Sequence, residues 1–162
     1  MIHLQPPSPL PHSPAGPTLF LAGSIDNSAA ERWQERFVQA LSHRTGTIFN
    51  PRREQWDPTW EQRLHHPQFR EQVEWELAAL ERSDVIAMYF APASIAPITL
   101  LELGLFARSG KLIIGCPDPY WRKGNVEVVA ARYDIPLLDT FDGLLSAASQ
   151  KLASIQSGRS GG

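Results

Sequence analysis

The residue best suited to chemistry in this sequence is Glu102, a carboxylate set in an otherwise apolar stretch. Apolar residues surround it at helical spacing and predict a largely buried helix: Ile98, Leu101, Leu105 and Phe106. A buried carboxylate is costly unless it is hydrogen-bonded or used, so Glu102 is a candidate catalytic group. The alternative is a helix glutamate that tilts its carboxylate into solvent.

A second acidic position lies on a helix predicted around residues 69–80, where Glu74 and Glu76 bracket Trp75. Residues two positions apart on a helix face different sides, so at most one of these carboxylates can share a pocket with Glu102. Glu76 lies near the edge of the predicted buried stripe. The alternative for both residues is a solvated helix face.

Other candidate residues follow predicted strands or lie in loops. Gly23 and Ser24 end the first predicted strand, where glycine permits close approach of a ligand; a plain strand-to-helix turn is the alternative. Trp56 lies in a loop and is able to stack on a base, although core or rim packing fits the sequence equally well. The His65-His66 pair lacks Cys or carboxylate companions at zinc spacing, so no metal site is predicted.

Alternating strands and helices within residues 18–155 are predicted to position these candidates. Short apolar runs predict five strands, at residues 18–22, 47–49, 85–90, 112–116 and 135–138. Helical spacing predicts helices between them, at residues 28–43, 69–80, 98–109, 125–133 and 141–155. This alternation predicts an α/β fold, a flavodoxin-like three-layer sandwich with a five-stranded, mainly parallel sheet. Ligands of such folds bind beyond the carboxyl ends of the strands.

The two ends of the chain lack this patterning. Six prolines fall within residues 1–17, and proline neither donates a backbone hydrogen bond nor lets its predecessor become helical easily. Residues 1–17 are therefore predicted to be a disordered tail. Residues 156–162 are rich in Gly and Ser and are predicted to be flexible. The single folded domain is placed at residues 18–155.

Composition excludes several classes of function. The chain has 162 residues, of which 43% are hydrophobic, and a formal net charge of −2 without a basic patch, so no nucleic-acid polymer is expected as a partner. No membrane span or secretory signal is visible. The only cysteine, Cys116, permits no intrachain disulfide, which suits a reducing compartment; a cytoplasmic location is expected. No phosphate-binding glycine motif occurs, so no cofactor is predicted.

Three segments together resemble the nucleoside 2-deoxyribosyltransferase-like superfamily. They are residues 20–25, residues 76–85, and residues 101–107 followed by Gly110-Lys111. The Glu-Leu-Gly sequence at 102–104 is the most specific element, and the resemblance extends over nearly all of residues 19–138. It implies a flavodoxin-like fold and an enzyme that cleaves or transfers the N-glycosidic bond of a (2-deoxy)nucleoside.

The resemblance also implies roles for individual residues. Glu102 matches the nucleophile that attacks C1′ of the sugar and forms a covalent glycosyl–enzyme intermediate. Glu76 falls where the family places an acidic residue that contacts the leaving base. Asn125 matches an asparagine that reaches the sugar 5′-hydroxyl of a neighbouring subunit, which implies a homodimer or larger homo-oligomer. Gly23 and Ser24 would line the sugar side of the site.

The sequence departs from the family pattern at three places. Phe20 or Leu19 stands where relatives carry a tyrosine that orients the nucleophilic glutamate. Ala96 lies six residues before Glu102, where the transferases have an aspartate. Asp26 stands where monophosphate-hydrolysing relatives have an arginine, and a negative charge there would repel a phosphate. An unphosphorylated nucleoside is therefore the expected substrate.

Three functions remain open from the sequence. The first is a nucleoside deoxyribosyltransferase or N-glycoside hydrolase. In this enzyme, Arg52 and Trp56 are expected to contact the substrate from a loop that covers the pocket. The second is a non-catalytic module that binds a nucleoside or nucleotide derivative, which the altered positions favour. The third is an N-glycoside hydrolase that acts on nucleotides or NAD-like substrates. Each of them predicts a small-molecule partner.

Overall fold

A six-stranded parallel sheet forms the centre of the computed structural model, which describes residues 1–25 and 32–160. In chain order its strands are β1 (Ile2–Leu4), β2 (Thr18–Gly23), β3 (Thr47–Phe49), β4 (Val85–Tyr89), β5 (Leu112–Gly115) and β6 (Leu137–Leu138). Their order across the sheet is β1-β3-β2-β4-β5-β6, and every pairing is parallel. The central strands β2 and β4 are the longest and almost completely buried.

Helices cover both faces of this sheet. In the described part of the chain they are α1 (Trp33–Leu41), α2 (Pro67–Arg82), α3 (Pro97–Phe106), α4 (Lys123–Arg132) and α5 (Phe141–Ser160). One apolar cluster packs α2, α3 and α4 against one face, and it includes Phe20, Leu80, Leu103 and Val126. A second cluster packs α1 and α5 against the other face, and it includes Leu21, Phe37, Leu144 and Leu152. The predicted α/β, flavodoxin-like fold is confirmed, with six strands instead of five.

The additional strand, β1, lies where the proline content predicts a disordered tail. That prediction is wrong for residues 2–4, which pair with β3 in the register Ile2 to Thr47. The prolines all follow this strand, so none removes a hydrogen bond from it. The segment after β1 is also held, because the Trp75 Nε1–H group donates to the Ser8 carbonyl oxygen at 2.7 Å.

The carboxyl end of the chain also departs from its prediction. Helix α5 continues to Ser160, whereas residues 156–162 are predicted to be flexible. Arg159 fixes this last turn, since its guanidinium lies 2.7 Å from Asp84 Oδ1 and donates to the Gly16 carbonyl oxygen at 3.0 Å. The predicted start of the first helix, at residues 28–31, lies outside the described residues.

Candidate active site

The loops after β2 and β4 meet at the carboxyl edge of the sheet, where the strand order switches direction. Ser24 joins them, because its N–H donates to the Tyr89 carbonyl oxygen at 3.1 Å. The Ser24 hydroxyl accepts from the Ala91 N–H at 3.2 Å and lies 2.5 Å from the Ser94 hydroxyl oxygen. Ser24 is 2% exposed, so its hydroxyl holds the two loops together; its contact with a sugar stays a prediction.

Gly23 is required by the packing at this junction. Its φ of +150° favours glycine, and a Cβ atom there would lie 2.7 Å from Trp33 Cζ2 and would also collide with the Tyr89 carbonyl oxygen. Trp33 is fully buried, and its Nε1–H group donates to the Ser24 carbonyl oxygen at 3.1 Å. The close approach to Gly23 that the sequence analysis expected of a ligand is therefore made by Trp33 and Tyr89 of the protein itself.

The Glu102 carboxyl lies on the inner face of α3, the helix that follows β4 in the chain. The residue is 8% exposed, and burial, followed by the charge of Glu76, raises its pKa to about 8. Within the described residues, no hydrogen bond holds this carboxyl. Glu102 is thus neither tilted into solvent nor held by a hydrogen bond from the described residues.

The opposite face of α3 contradicts one expectation. The residues predicted to bury the helix are exposed instead, at 60%, 60% and 58%: Ile98, Leu101 and Leu105. The buried face is formed by Thr99, Glu102 and Leu103. Because α3 is apolar on both faces, its sequence pattern gave no signal for which face points inward.

Glu76 is the acidic residue of α2 that comes close to Glu102. Burial raises the pKa of Glu76 to about 7. A hydrogen bond of 2.8 Å, donated by Gln72 Nε2 to Glu76 Oε1, acts in the opposite direction and lowers this pKa. Glu74, in contrast, lies on the exposed side and pairs with Arg70 at 2.6 Å. Of Glu74 and Glu76, only Glu76 therefore faces the site, as the helical spacing requires.

The buried Glu102 carboxyl interacts with the charge of the half-buried Glu76 carboxyl. With pKa values raised to about 7 for Glu76 and about 8 for Glu102, both carboxyls titrate near neutral pH, and Glu102 holds its proton more tightly than Glu76 does. Such a pair offers a carboxylate and a carboxylic acid at one place. A carboxylate nucleophile beside a proton donor is the arrangement that glycosidic bond cleavage requires.

The loop between β3 and α2 lies near Glu76 through its first residues. The Pro51 carbonyl oxygen accepts from Gln72 Nε2 at 2.8 Å, which brings the half-buried Arg52 close to this end of the site. Trp56 packs edge-on against Trp60, with 5.2 Å between ring centroids. Its contact with a substrate stays a prediction.

Residues 16–120 match the model of the family described as nucleoside 2-deoxyribosyltransferase like. This match covers more than half of the chain and includes both Glu76 and Glu102. The chain belongs to this family. Membership in the nucleoside 2-deoxyribosyltransferase-like family points to glycosyl transfer or cleavage on a small-molecule nucleoside. Among curated proteins, none matches the chain.

Two departures from the pattern of the nucleoside 2-deoxyribosyltransferase-like family lie within the matched residues. Phe20 is fully buried in the core and offers no polar group to orient Glu102. Ala96 immediately precedes α3 and has a left-handed backbone, with φ of +46°. Asn and Asp adopt this conformation more readily than Ala does, so the backbone still suits an acidic residue at this position.

The remaining predicted site residues are Asn125 and Asp26. Asn125 is exposed in the first turn of α4 and lies beyond the matched residues. It is available to a neighbouring subunit, and its role there stays a prediction. Asp26 lies outside the described residues.

Gln72 and Ser94 are parts of the site that the sequence did not reveal. The spacing of four residues between Gln72 and Glu76 is a usable signal for a helix contact. Nothing comparable marks Ser94, because its partner Ser24 lies 70 positions away.

Other kinds of site find little support in the described residues. Within residues 1–25 and 32–160, no group of three or more His, Cys, Asp or Glu side chains lies close enough together to hold a metal ion. No helix in this part of the chain is long and apolar enough to cross a bilayer. An open groove of about 460 Å³ lies on the far side of α2, lined among others by Leu64, Arg70 and Trp75; neither Glu76 nor Glu102 lines it.

Proposed function

We propose that this protein cleaves or transfers the N-glycosidic bond of a (2-deoxy)nucleoside, with Glu102 as the nucleophile. The observation that carries this proposal is the Glu102 carboxyl, buried without a hydrogen bond among the described residues and coupled to a second carboxyl, Glu76. A buried carboxyl that is not hydrogen-bonded is costly to the fold, so its presence on the helix that follows β4, a strand of the switch point, favours a functional role.

The reaction takes place in two displacements. A Glu102 oxygen attacks C1′ of the sugar while the bond from C1′ to the base nitrogen breaks, and its electron pair goes to the base. Glu76, protonated, donates its proton to the base and leaves as a carboxylate. Water or a second base then attacks C1′ from the opposite face, gives its proton to Glu76 and releases Glu102, with overall retention.

This mechanism requires one proton on the pair, held by Glu76. The pKa values of about 7 for Glu76 and about 8 for Glu102 allow a singly protonated pair near neutral pH. Because the pKa of Glu102 is the higher of the two, the proton lies mainly on Glu102, and the reactive arrangement, with Glu102 ionised and Glu76 protonated, is the less populated one. A bell-shaped dependence of kcat on pH is therefore expected.

The substrate we propose is an unphosphorylated nucleoside, because the negative charge of Asp26 would repel a phosphate. Arg52 and Trp56 are proposed to contact it from the loop after β3, while Gly23 and Ser24 shape the sugar side. Acceptance of a second base would make the protein a transferase, and acceptance of water would make it a hydrolase.

A homo-oligomer is part of this proposal. The face of α3 formed by Ile98, Leu101 and Leu105 is apolar and exposed, and Asn125 is exposed on α4. A helix that is apolar all round is normally covered, so a second copy of the chain is the partner that we propose for this face. Asn125 would then reach the site of its neighbour.

Product analysis tests the reaction directly. The protein is incubated with each common 2′-deoxynucleoside, with and without a free acceptor base, and the bases and nucleosides are separated by chromatography. Free base indicates hydrolysis, and a new nucleoside indicates transfer. We expect Glu102→Ala to lose at least about 10³-fold in rate, because it removes the nucleophile.

The matched control is Glu74→Ala, which removes an exposed carboxyl from α2. It should retain the rate of the unmodified protein. Base release that persists unchanged in Glu102→Ala would sink the assignment of Glu102.

A non-catalytic binding module is the second candidate. Phe20, fully buried and without a hydroxyl, favours it, because nothing at that position can orient Glu102. Tight binding of a nucleoside without turnover, with the same affinity in Glu102→Gln, would support it. Nucleoside monophosphates and NAD, assayed in parallel, would reveal the remaining alternative, a hydrolase of phosphorylated substrates.

A further inference from the structure

Gln72 is a buried polar side chain to which the mechanism above gives no role. It lies on α2 one turn before Glu76 and is 5% exposed. Its Nε2 amide group donates to the Pro51 carbonyl oxygen at 2.8 Å and to Glu76 Oε1 at 2.8 Å. Because both partners are acceptors, the orientation of the carboxamide is determined.

The Pro51 carbonyl is itself part of a fixed segment. The Asn50 N–H donates to the Leu4 carbonyl oxygen at 2.9 Å, and Gln5 Nε2 donates to the Arg52 carbonyl oxygen at 2.7 Å. Leu4 and Gln5 belong to the first residues of the chain, outside the segment that matches the family. Glu76 is therefore held by α2, on which it lies, and also, through Gln72 and Pro51, by the segment next to β1 at the edge of the sheet.

The other end of the carboxamide indicates why a glutamine stands here. Gln72 Oε1 is buried and has no hydrogen-bond partner within the described residues. A buried polar atom without a partner lowers stability, and an apolar side chain of the same length would avoid this loss. The useful part of Gln72 is therefore its donor group.

We propose that Gln72 is a positioning residue that holds the Glu76 carboxyl in reach of the leaving base. This inference rests on the proposed function, in which Glu76 is the proton donor. A proton donor acts only within hydrogen-bond reach of the atom that it protonates, so a fixed carboxyl raises the rate of base departure. The same N–H stabilises the carboxylate that Glu76 becomes after it gives up its proton.

The test replaces the donor and keeps the length of the side chain, as in Gln72→Met. We expect kcat to fall roughly 10- to 100-fold, with KM changed less than about threefold, because the contact acts mainly in the transition state. Gln68→Met is the matched control, since Gln68 is exposed one turn earlier on the same helix. It should leave kcat unchanged.

The pH profile separates positioning from a purely structural role. The hydrogen bond from Gln72 lowers the pKa of Glu76. Loss of this bond should therefore shift the limbs of the kcat profile to higher pH, by up to about one pH unit. A structural role would reduce the amount of folded protein and scale the rate equally at every pH. An unshifted profile in Gln72→Met overturns the proposal.

A spectroscopic titration makes the result independent of turnover. In protein labelled with ¹³C-carboxyl glutamate, the Glu76 resonance, assigned with Glu76→Gln, should titrate at higher pH in Gln72→Met. If the unmodified protein cleaves no substrate, the proposed function fails while this titration still decides the role of Gln72. Should Gln72→Met not fold, Gln72→Asn, too short to reach both partners, must give the same shift; no shift overturns the proposal.

Discussion

Burial of the Glu102 carboxyl makes the stability of the protein depend on pH. The pKa is about 8 in the folded protein, against an ordinary value of 4.5. Between these values the folded protein holds a proton that the unfolded chain releases. The proton held by Glu102 therefore contributes fully to the free energy of unfolding below pH 4.5, and this contribution is lost as the pH rises towards 8. Glu76, with a pKa raised to about 7, acts in the same direction.

Glu102→Gln should remove the contribution of this residue, because the amide does not ionise. We expect the variant to be more stable than the unmodified protein at pH 8, by about 2 kcal/mol or more, and similar to it near pH 5. Urea unfolding at the two pH values measures this. The exposed Glu74→Gln should keep the pH dependence of the unmodified protein. Equal destabilisation of Glu102→Gln at both pH values would instead assign the carboxyl a structural role.

The sequence carries unequal information about these side chains. Glu102 is conspicuous as the one charge in an apolar helix, which made it a candidate, but the pattern left open whether its carboxylate is buried or tilted into solvent. Gln72 is inconspicuous, because its partner Pro51 comes from a loop 21 positions away. A side chain that acts through a tertiary contact leaves no periodic trace in the sequence.

Among the secondary-structure elements, the end of β2 is the most constrained. A Cβ atom at Gly23 would collide with the backbone of β4 and with the Trp33 ring. Gly23→Ala should therefore lower the free energy of unfolding by about 2 kcal/mol or more. Thermal unfolding measures the loss, and Gly124→Ala on α4 is the control, since no heavy atom lies within 4 Å of its added Cβ. A melting temperature unchanged by Gly23→Ala would show that the junction can relax.

The order of the elements was predictable, but two of their properties were not. Apolar runs between helical segments identified β2 to β6, since buried parallel strands are continuous in hydrophobicity. β1 is three residues long and mostly exposed, and only its pairing with β3 makes it a strand. The orientation of α3 also escaped prediction, because Ile98 and Leu101 on one face are as apolar as Leu103 on the other.

At the scale of the whole molecule, the exposed face of α3 bears on how the site is completed. Ile98, Leu101 and Leu105 follow one another at helical spacing and carry no charge between them. A charge-free stripe is compatible with a copy of itself, as a two-fold interface requires. Glu102 lies on the inner face of the same helix, so pairing through the exposed face would pack a second chain against the helix that carries the nucleophile.

Leu101→Glu should therefore convert a homo-oligomer into a monomer, because two like charges would meet in the interface and would lose their water. Light scattering coupled to size exclusion measures the mass of each form. Leu64→Glu makes the same change at an exposed leucine outside α3, and it should leave the mass unchanged.

Complementation then links association to activity. If Asn125 serves the site of its neighbour, Glu102→Ala and Asn125→Ala are each inactive alone. A mixed dimer of the two variants has one site with both changes and one site with neither, so mixing after dissociation should restore up to about a quarter of the activity. Activity retained by a monomeric Leu101→Glu would contradict a shared site, because one chain would then hold every group that the reaction needs.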